Sequence, residues 1–410
     1  MPEGGWDVVV IGAGAAGLLA AIRAAERGRR TLLLEKNRQA GVKILMSGGT
    51  RCNITHATDN RGIVEAFGPP GRFLHSALAA LSVQETIELI EAEGVPTKVE
   101  ETGKVFPVSN KAADVLNALL SRLRRSGATL SLEEPVQDLR QNDGSFALTA
   151  SGRTVTASSV ILTSGGQSYP GSGTTGDGYG FSARLGHTII TPRAALVPVT
   201  VAAPWVADLR GVTIPDVSVR VWEDRVCLAR RRGSLLFAHF GLSGPVVLDV
   251  SRVISRHPRP ECLMLEIDFL PNLVEPALDE FLRSEAIASG KKQLAGILAG
   301  HLPRRLCETL LALAGMPPDR KAAGLTKIDR GKLAEAFKRL RLPITGTLGF
   351  KKAEVTTGGV ALDEIDSRTL QSKQVPGLFI AGEVLDLDGP IGGYNFQAAF
   401  STGWLAGSVA

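Results

Sequence analysis

The sequence predicts an α/β protein: a discontinuous, mainly parallel sheet domain interrupted by a β-rich module and a small helical module. Three observations predict it. The chain opens on a strand, a glycine-rich turn, a helix and a second strand that ends in an acid. A buried strand and a helix near residue 410 return to the same texture. Between them, after Pro192, the pattern changes first to alternating strands and then to helices.

Trp6 to Ile11 (WDVVVI) is a continuous apolar run, as a strand covered on both faces requires. Ala15 to Arg27 reads as a helix and Thr31 to Glu35 (TLLLE) as the next strand, a β-turn-α-β unit of the kind that opens a Rossmann-like nucleotide-binding domain. Helical periodicity follows at Arg72–Ala80, Val83–Glu93 and Ala112–Ser126, and strand alternation at Thr129–Leu139, Ser145–Thr149 and Thr154–Thr163. Val197–Val201, Asp216–Trp222 and Cys262–Phe269 read as strands of a second, β-rich module. Pro276 to Leu340 reads as helices, with turns at Gly290, Gly300, Pro303 and Pro317–Pro318. Gly377–Ala381 (GLFIA) is a buried strand and Gln397–Val409 a helix. The expected division is therefore 1–190 with 346–410, a β-rich insertion at 191–275, and a helical basic subdomain at 276–345.

Hydrophobic residues at 44% and charged residues at 21% allow a large core and exclude global disorder. Cys52, Cys227, Cys262 and Cys307 are far apart with no C-x-x-C pair, which disfavours a disulfide framework or a zinc site and fits a reducing compartment. The longest apolar stretch, Val8–Ile22, is broken by three glycines and is shorter than the roughly 20 residues of a membrane span. No room precedes Asp7 for a signal peptide, so the expectation is a soluble cytoplasmic protein with no membrane partner. The net charge of +5 is uneven: Thr191–Thr345 holds 23 Lys/Arg against 16 Asp/Glu, and the remainder is slightly acidic. That asymmetry points to a polyanionic partner or to a solvated surface.

Gly12, Gly14 and Gly17 make G-x-G-x-x-G between strand and helix. The first permits the tight turn, the second lets a pyrophosphate approach the backbone, and the third lets helix pack on strand. Glu35, closing the second strand, is placed to accept from adenosine ribose hydroxyls, which suits FAD or NAD and argues against a 2′-phosphate. A second literal match, Gly171–Gly176 (GSGTTG), lacks a leading strand, and position 196 is Leu where an acid is wanted, so no second nicotinamide fold is expected. The end of the chain separates FAD from NAD. After Gly382–Glu383 come Gly389, Gly392, Gly393 and a helix starting near Asn395. A returning strand can bring Glu383 to a ribityl hydroxyl, and the helix can aim its N–H groups at the flavin pyrimidine edge, favouring the anion of the reduced ring.

These segments carry a resemblance. Gly41–Thr55 (GVKILMSGGTRCNIT) resembles the K-x-x-x-S-G-G-G-R-C-N loop of the BaiN-like (YhiN-type) flavoproteins. The likeness continues in Lys104–Asp114, Thr163–Gly178 (TSGGQSYPGSGTTGDG), Leu235–Pro245 (LLFAHFGLSGP), Thr357–Gly359 and Gly382–Phe400 (GEVLDLDGPIGGYNFQAAF). More distantly the chain is similar to the fumarate reductase superfamily, where a T-G-D-G loop lies on the flavin. Two departures stand out: Thr50 replaces a family glycine, and Ser234 and Ala238 stand where Glu and Thr are usual before His239. The resemblance implies an FAD-binding domain with an inserted β-rich module and a small helical module.

The residues expected to touch the cofactor are Gly12, Gly14, Ala15, Ala16 and Gly17 in the first turn, with Glu35 and Lys36 after the second strand. The resembling blocks add Lys43, Ser47, Gly49 and Arg51, then Gly165, Gly166 and Asp177, and Val136 is expected with them. Gly382, Glu383, Gly393 and Asn395 complete the set. Arg51 and Lys43 either bind flavin or substrate phosphate or brace the glycine loop against carboxylates. Tyr394 and Asn395 either meet the flavin edge or cap the helix. Cys52 and His239 are the candidate catalytic acids, each with a bland alternative as a packed core residue.

The basic clusters Arg230–Arg232, Lys291–Lys292, Arg304–Arg305 and Lys338–Arg341 either line a groove for RNA phosphates or form a solvated face. The expected activity is that of an FAD-dependent oxidoreductase recharged by transiently bound NAD(P)H. The resemblance implies reduction of a uridine to dihydrouridine in large-subunit ribosomal RNA. The alternatives are a small-molecule amine or alkene oxidoreductase using oxygen, and a flavin-holding protein without turnover.

Overall fold

The computed structural model describes residues 5–142 and 144–410. The chain folds as two compact units, residues 1–193 with 354–410 and residues 194–353.

The first unit is built on a seven-stranded sheet. Six of its strands run in the order Thr129–Ser131, Thr31–Leu34, Trp6–Ile11, Arg153–Leu162, Ser145–Ala150, Val136–Asn142. The central pairs are parallel, with Val8 opposite both Thr31 and Ser159. One edge of Arg153–Leu162 is shared: its first half pairs antiparallel with Ser145–Ala150, and its last three residues pair parallel with Leu378–Ile380, the seventh strand. The chain's last strand thus lands two places from its first, which brings Gly382–Glu383 to the end of the sheet where the glycine turn lies. Val8, Val9 and Val10 have no exposed surface, as the apolar run requires.

The first helix (Ala15–Glu26) packs against the last (Tyr394–Val409) through small residues on both. A Cβ on Gly403 would lie 2.8 Å from the Ala16 Cα, and one on Gly407 would lie 3.0 Å from the Ala20 Cα. The spacing of four on each helix matches one turn, so two glycines meet two alanines along one seam.

The second unit is a closed six-stranded barrel in the order Val199–Val201, Gly241–Ser243, Val226–Ala238, Thr213–Glu223, Leu263–Asp268, Leu340–Thr347. Val217, Val219, Val221, Leu263, Leu265 and Ile267 fill its inside on strict alternation. Helices Glu275–Ala288, Leu294–Leu298, Arg304–Leu313 and Lys327–Lys338 sit between its last two strands in sequence and share its core.

Several elements differ from the sequence reading. The single strand expected at Thr129–Leu139 is two, because Glu133 takes φ +57° just before Pro135 and turns the chain. The helix expected from Arg72 begins as a 3₁₀ turn over Pro69–Leu74 and becomes α-helical at His75. The last helix starts at Tyr394, three residues before the apolar pattern announces it. The longest strand, Val226–Ala238, escapes the alternation test because Arg230, Arg231 and Arg232 interrupt it. The helix Pro245–Arg256 follows a Gly-Pro that reads as a loop. Leu340–Thr347, whose last residues lie beyond the expected insertion, closes the barrel against Val199–Val201.

Candidate cofactor site

Gly12 (φ +101°) turns the chain out of the first strand, and a Cβ there would sit 2.8 Å from the Thr163 carbonyl oxygen. At Gly17 a Cβ would meet Thr163 Oγ1 at 2.6 Å and the Gly12 carbonyl closer still, so only glycine lets this helix seat on the strand. Gly14 faces open space, with nothing within 4 Å of a Cβ position. No side chain caps the helix there and its first turn holds no acid, so its N–H groups and partial positive charge point into that space. Glu35, 8% exposed, accepts from the Ala13 N–H at 2.8 Å and the Asn37 N–H at 2.9 Å, which locks its carboxylate beside the turn. Lys36 turns onto Asp177 and the Thr175 hydroxyl. Val136 begins the strand next to Glu134, whose N–H donates to the Glu35 carbonyl.

The glycine loop is helical only to Met46. Ser47 is extended, and Gly48, Gly49, Thr50 and Cys52 all have positive φ. Arg51 is used within the protein: Nη1 reaches Glu100 at 2.7 Å, and the guanidinium lies 3.9 Å over the Phe106 ring, which is the bracing alternative. Cys52 has no exposed surface, and burial pushes its thiol up to about 12 against a smaller pull from the Ser47 hydrogen bond. The thiol keeps its proton at neutral pH, but a sulfur sealed in the core cannot reach a substrate carbon. The expectation of Cys52 as the acid meets that obstacle.

Four distant segments meet at Glu383. Its Oε2 accepts from Lys43 Nζ at 2.5 Å, and its Oε1 accepts from Ser168 Oγ at 2.8 Å and the Thr356 N–H at 2.8 Å. Lys43 also donates to Ser168 at 2.6 Å, and Thr356 Oγ1 accepts from the Gln167 and Ser168 N–H groups. Gly166 is packed so that a Cβ would lie 2.6 Å from the Thr356 Cβ. Gly165 has φ +74°. Sequence reasoning misses Ser168 and Thr356: the first lies in a block where the glycines are the more visible signal, and the second falls one residue before the block Thr357–Gly359.

At the last helix, Gly393 takes φ +100°, and a Cβ would lie 2.8 Å from the Thr55 Cα. Gly382 is similarly tight, 2.8 Å from the Ala16 Cβ. The helix start carries no acid and no capping side chain. Asn395 is committed to the preceding loop, accepting from the Gly389 N–H at 2.8 Å and donating to the Gly389 and Pro390 carbonyls. His56 stacks on Tyr394 at 4.6 Å and bonds the Gly392 carbonyl through Nδ1 at 3.1 Å. A carbonyl only accepts, so Nδ1 carries the hydrogen. Sequence reasoning misses His56 as well, although it follows the N-I-T of the loop directly.

The fit to a dinucleotide rests on this chain's own atoms. The buried Asn53 Oδ1, in the glycine loop, and Ser164 Oγ, beside Gly12, have no partner within the protein. They are two of several such atoms among the described residues, and their place beside an uncapped helix start and an open glycine cradle suits a polar ligand. His239 lies in the second unit, exposed on the turn between Val226–Ala238 and Gly241–Ser243, edge-on to Phe240 at 4.9 Å. Among the described residues no helix is long and apolar enough to cross a membrane, and no cluster of His, Cys, Asp and Glu could hold a metal ion.

A strand–glycine turn–helix with an acid after the second strand, closed by a C-terminal strand and helix, defines a Rossmann-type FAD-dependent oxidoreductase. The sequence matches the family described as HI0933-like protein Rossmann domain over residues 6–409, and the chain belongs to that family. It is 35% identical over 402 residues to the ribosomal RNA dihydrouridine synthase of Escherichia coli (strain K12), covering 97% of this chain and 96% of that one. It is 33% identical over 409 residues to the 3-dehydro-bile acid delta(4,6)-reductase of Clostridium scindens, covering 98% of each. Its fold is similar to the open conformation of a flavocytochrome c3 fumarate reductase, with a TM-score of 0.51 at 18% identity, covering 99% of this chain and 78% of that one.

Proposed function

We propose that this protein reduces the C5–C6 double bond of a uridine in large-subunit ribosomal RNA, consuming one NAD(P)H and one proton per dihydrouridine formed. The observation that carries this reading is the end-to-end likeness to the E. coli ribosomal RNA dihydrouridine synthase. FAD, when bound, would supply the two-electron hydride chemistry that this reduction needs.

The chain's own residues bind and orient. The N–H groups after Gly14 would hold the pyrophosphate, and Glu35 keeps acceptor capacity for a ribose hydroxyl beyond its two backbone bonds. Glu383, held by Lys43, Ser168 and Thr356, is oriented for a ribityl hydroxyl. The start of the last helix, free of acids, would favour negative charge on a flavin edge placed before it. For the proton that completes the reduction, His239 is a better candidate than Cys52, because its imidazole is exposed.

The test is mass spectrometry of ribosomal RNA from a strain lacking the gene, with and without complementation. Loss of one dihydrouridine, restored by the wild type and not by His239→Asn, supports the reading; unchanged dihydrouridine removes it. A second reading, reduction of an activated double bond in a small enone, is favoured by the equally long likeness to the bile acid reductase. NAD(P)H oxidation driven by a steroid enone and not by RNA would select it.

A further inference from the structure

Four basic clusters stand out in the sequence of the second unit, and the fold separates them. Lys338 is held by Asp268 at 2.8 Å, Arg339 by Glu275 and Glu335, and Arg341 by Glu266. Arg232 is held by Asp216 and Arg304 by Glu308. Arg305 turns onto the Asp208 carbonyl. Arg230 and Arg231 are exposed without a carboxylate, but their hairpin also carries Asp216, Glu223 and Asp224. Of the described residues in these clusters, Lys291 and Lys292 alone are both exposed, free of any carboxylate and remote in sequence from one.

The fold then adds to them. Residues 290–294 run antiparallel to 320–323: Leu294 N–H donates to the Arg320 carbonyl at 2.8 Å, Ala322 N–H to the Lys292 carbonyl at 3.0 Å, and Ala323 N–H to the Gly290 carbonyl at 2.9 Å. Lys321, also exposed and without a carboxylate, sits opposite Gln293 in this pairing. Lys321 therefore lies about 4.8 Å in backbone from Gln293, with Lys292 one residue and Lys291 two residues along the same paired segment. Three ammonium groups on stems rooted this close fall within one another's field at a Debye length of about 8–10 Å, and they repel. Asp319, exposed two residues before Lys321, offsets part of this, and the wider segment does not. Residues 289–332 carry nine Lys/Arg and three Asp/Glu, an excess of six in a chain whose total is +5. The basic character of the protein is therefore concentrated in this helical module, and three of its lysines without an ion pair lie on this arch.

We propose that the arch of Lys291, Lys292 and Lys321 is the surface on which ribosomal RNA docks through its phosphate backbone. The proposal rests on the RNA reading above and deepens it. A phosphate chain is the partner whose charge spacing relieves three adjacent cations at once, and release of its counterions drives binding. Among the described residues no exposed large aromatic ring flanks these lysines, which fits backbone capture rather than base stacking.

The test uses the full-length, FAD-loaded protein with a fluorescein-labelled RNA hairpin and an unmodified large-subunit ribosomal RNA transcript. Lys291→Ala, Lys292→Ala and Lys321→Ala are combined. A control removes three exposed arginines that the fold pairs with carboxylates: Arg38, Arg61 and Arg283. The triple lysine variant is expected to bind RNA about 30-fold more weakly near 0.1 M salt, with the log–log salt slope reduced by about 2. Its flavin content and flavin reduction by NAD(P)H should be unchanged, and the arginine control should bind like the wild type.

Wild-type affinity and slope in the lysine variant would overturn the arch while leaving the RNA reading intact. Absence of RNA binding by the wild type would remove both. Loss of binding to phosphatidylserine vesicles, with RNA affinity retained, would reassign the arch to a lipid surface and overturn the proposal.

Discussion

Gly403→Ala is a one-carbon change that should damage this protein at two levels. The added Cβ would lie 2.8 Å from the Ala16 Cα and carbonyl carbon, and closer to the carbonyl oxygen. Reaching the optimum of about 3.5–4.0 Å requires the two helices to part by about 1 Å. Overpacking of this kind costs about 1–3 kcal/mol, offset by about 1 kcal/mol because alanine is the better helix residue. The expected net loss is up to about 2 kcal/mol, read as a lower urea midpoint with unchanged slope.

Ala16 lies in the first turn of the helix whose uncapped N-terminus is proposed to hold the phosphates, so the displacement should also weaken FAD retention. Gly407→Ala, one turn on against Ala20, should behave alike alone and cost less when added to Gly403→Ala, because the first substitution has already opened the seam. Gly331→Ala supplies the contrast: it lies within the helix Lys327–Lys338 with nothing within 4 Å, and should stabilise by up to about 1 kcal/mol. If Gly403→Ala matches or exceeds the wild type in midpoint and in FAD affinity, the two helices are not held at the separation that glycine alone permits.

Glu266 is 3% exposed; burial works to raise its pKa, but Arg341 and Arg220, each at 2.9 Å, outweigh it and hold the carboxyl below the usual carboxylate range. A lowered folded value means stability that is present above the unfolded value of about 4.3 and lost as pH falls through the folded one. Glu266→Ala should therefore cost about 1–3 kcal/mol at pH 7, since the two guanidinium groups it leaves are partly exposed, and the gap to wild type in urea titrations should shrink below about pH 4.5. Thr50 occupies φ +69°, where a β-branched residue is strained by about 1–2 kcal/mol, partly returned as unfolded-state entropy when glycine replaces it. Thr50→Gly should raise the urea midpoint by the equivalent of about 0.5 kcal/mol, and a drop would show that its hydroxyl contact to Gly49 outweighs the strain. Alkylation of the folded protein should mark the exposed Cys227 and Cys262 and spare the buried Cys52 and Cys307 until denaturant is added; mapping by peptide mass would expose any error.

The fold class was legible because local chemistry and tertiary role coincide in its opening unit. Val8 to Val10 must be covered on both faces, and Gly12 and Gly17 must be glycine for reasons that act close to the first turn. Legibility fails where the cause is remote. The strand Val226–Ala238 keeps its pattern only if Arg230 to Arg232 are known to lie on a barrel, with Arg232 answered by Asp216 from the neighbouring strand. The same limit governs the site. Lys43 and Glu383 are each noticeable in sequence, but they are 340 residues apart, and what makes them a unit is the landing of the last strand beside Arg153–Leu162. Ser168 and Thr356, which complete that unit, have no signal of their own, since a hydroxyl becomes informative only once its partners are known. Lys321 is the plainest instance: it stands far along the chain from Lys292, with two helices between them, and belongs to none of the basic runs. Only the backbone pairing of 290–294 with 320–323 turns that isolated lysine into the third member of a charged arch.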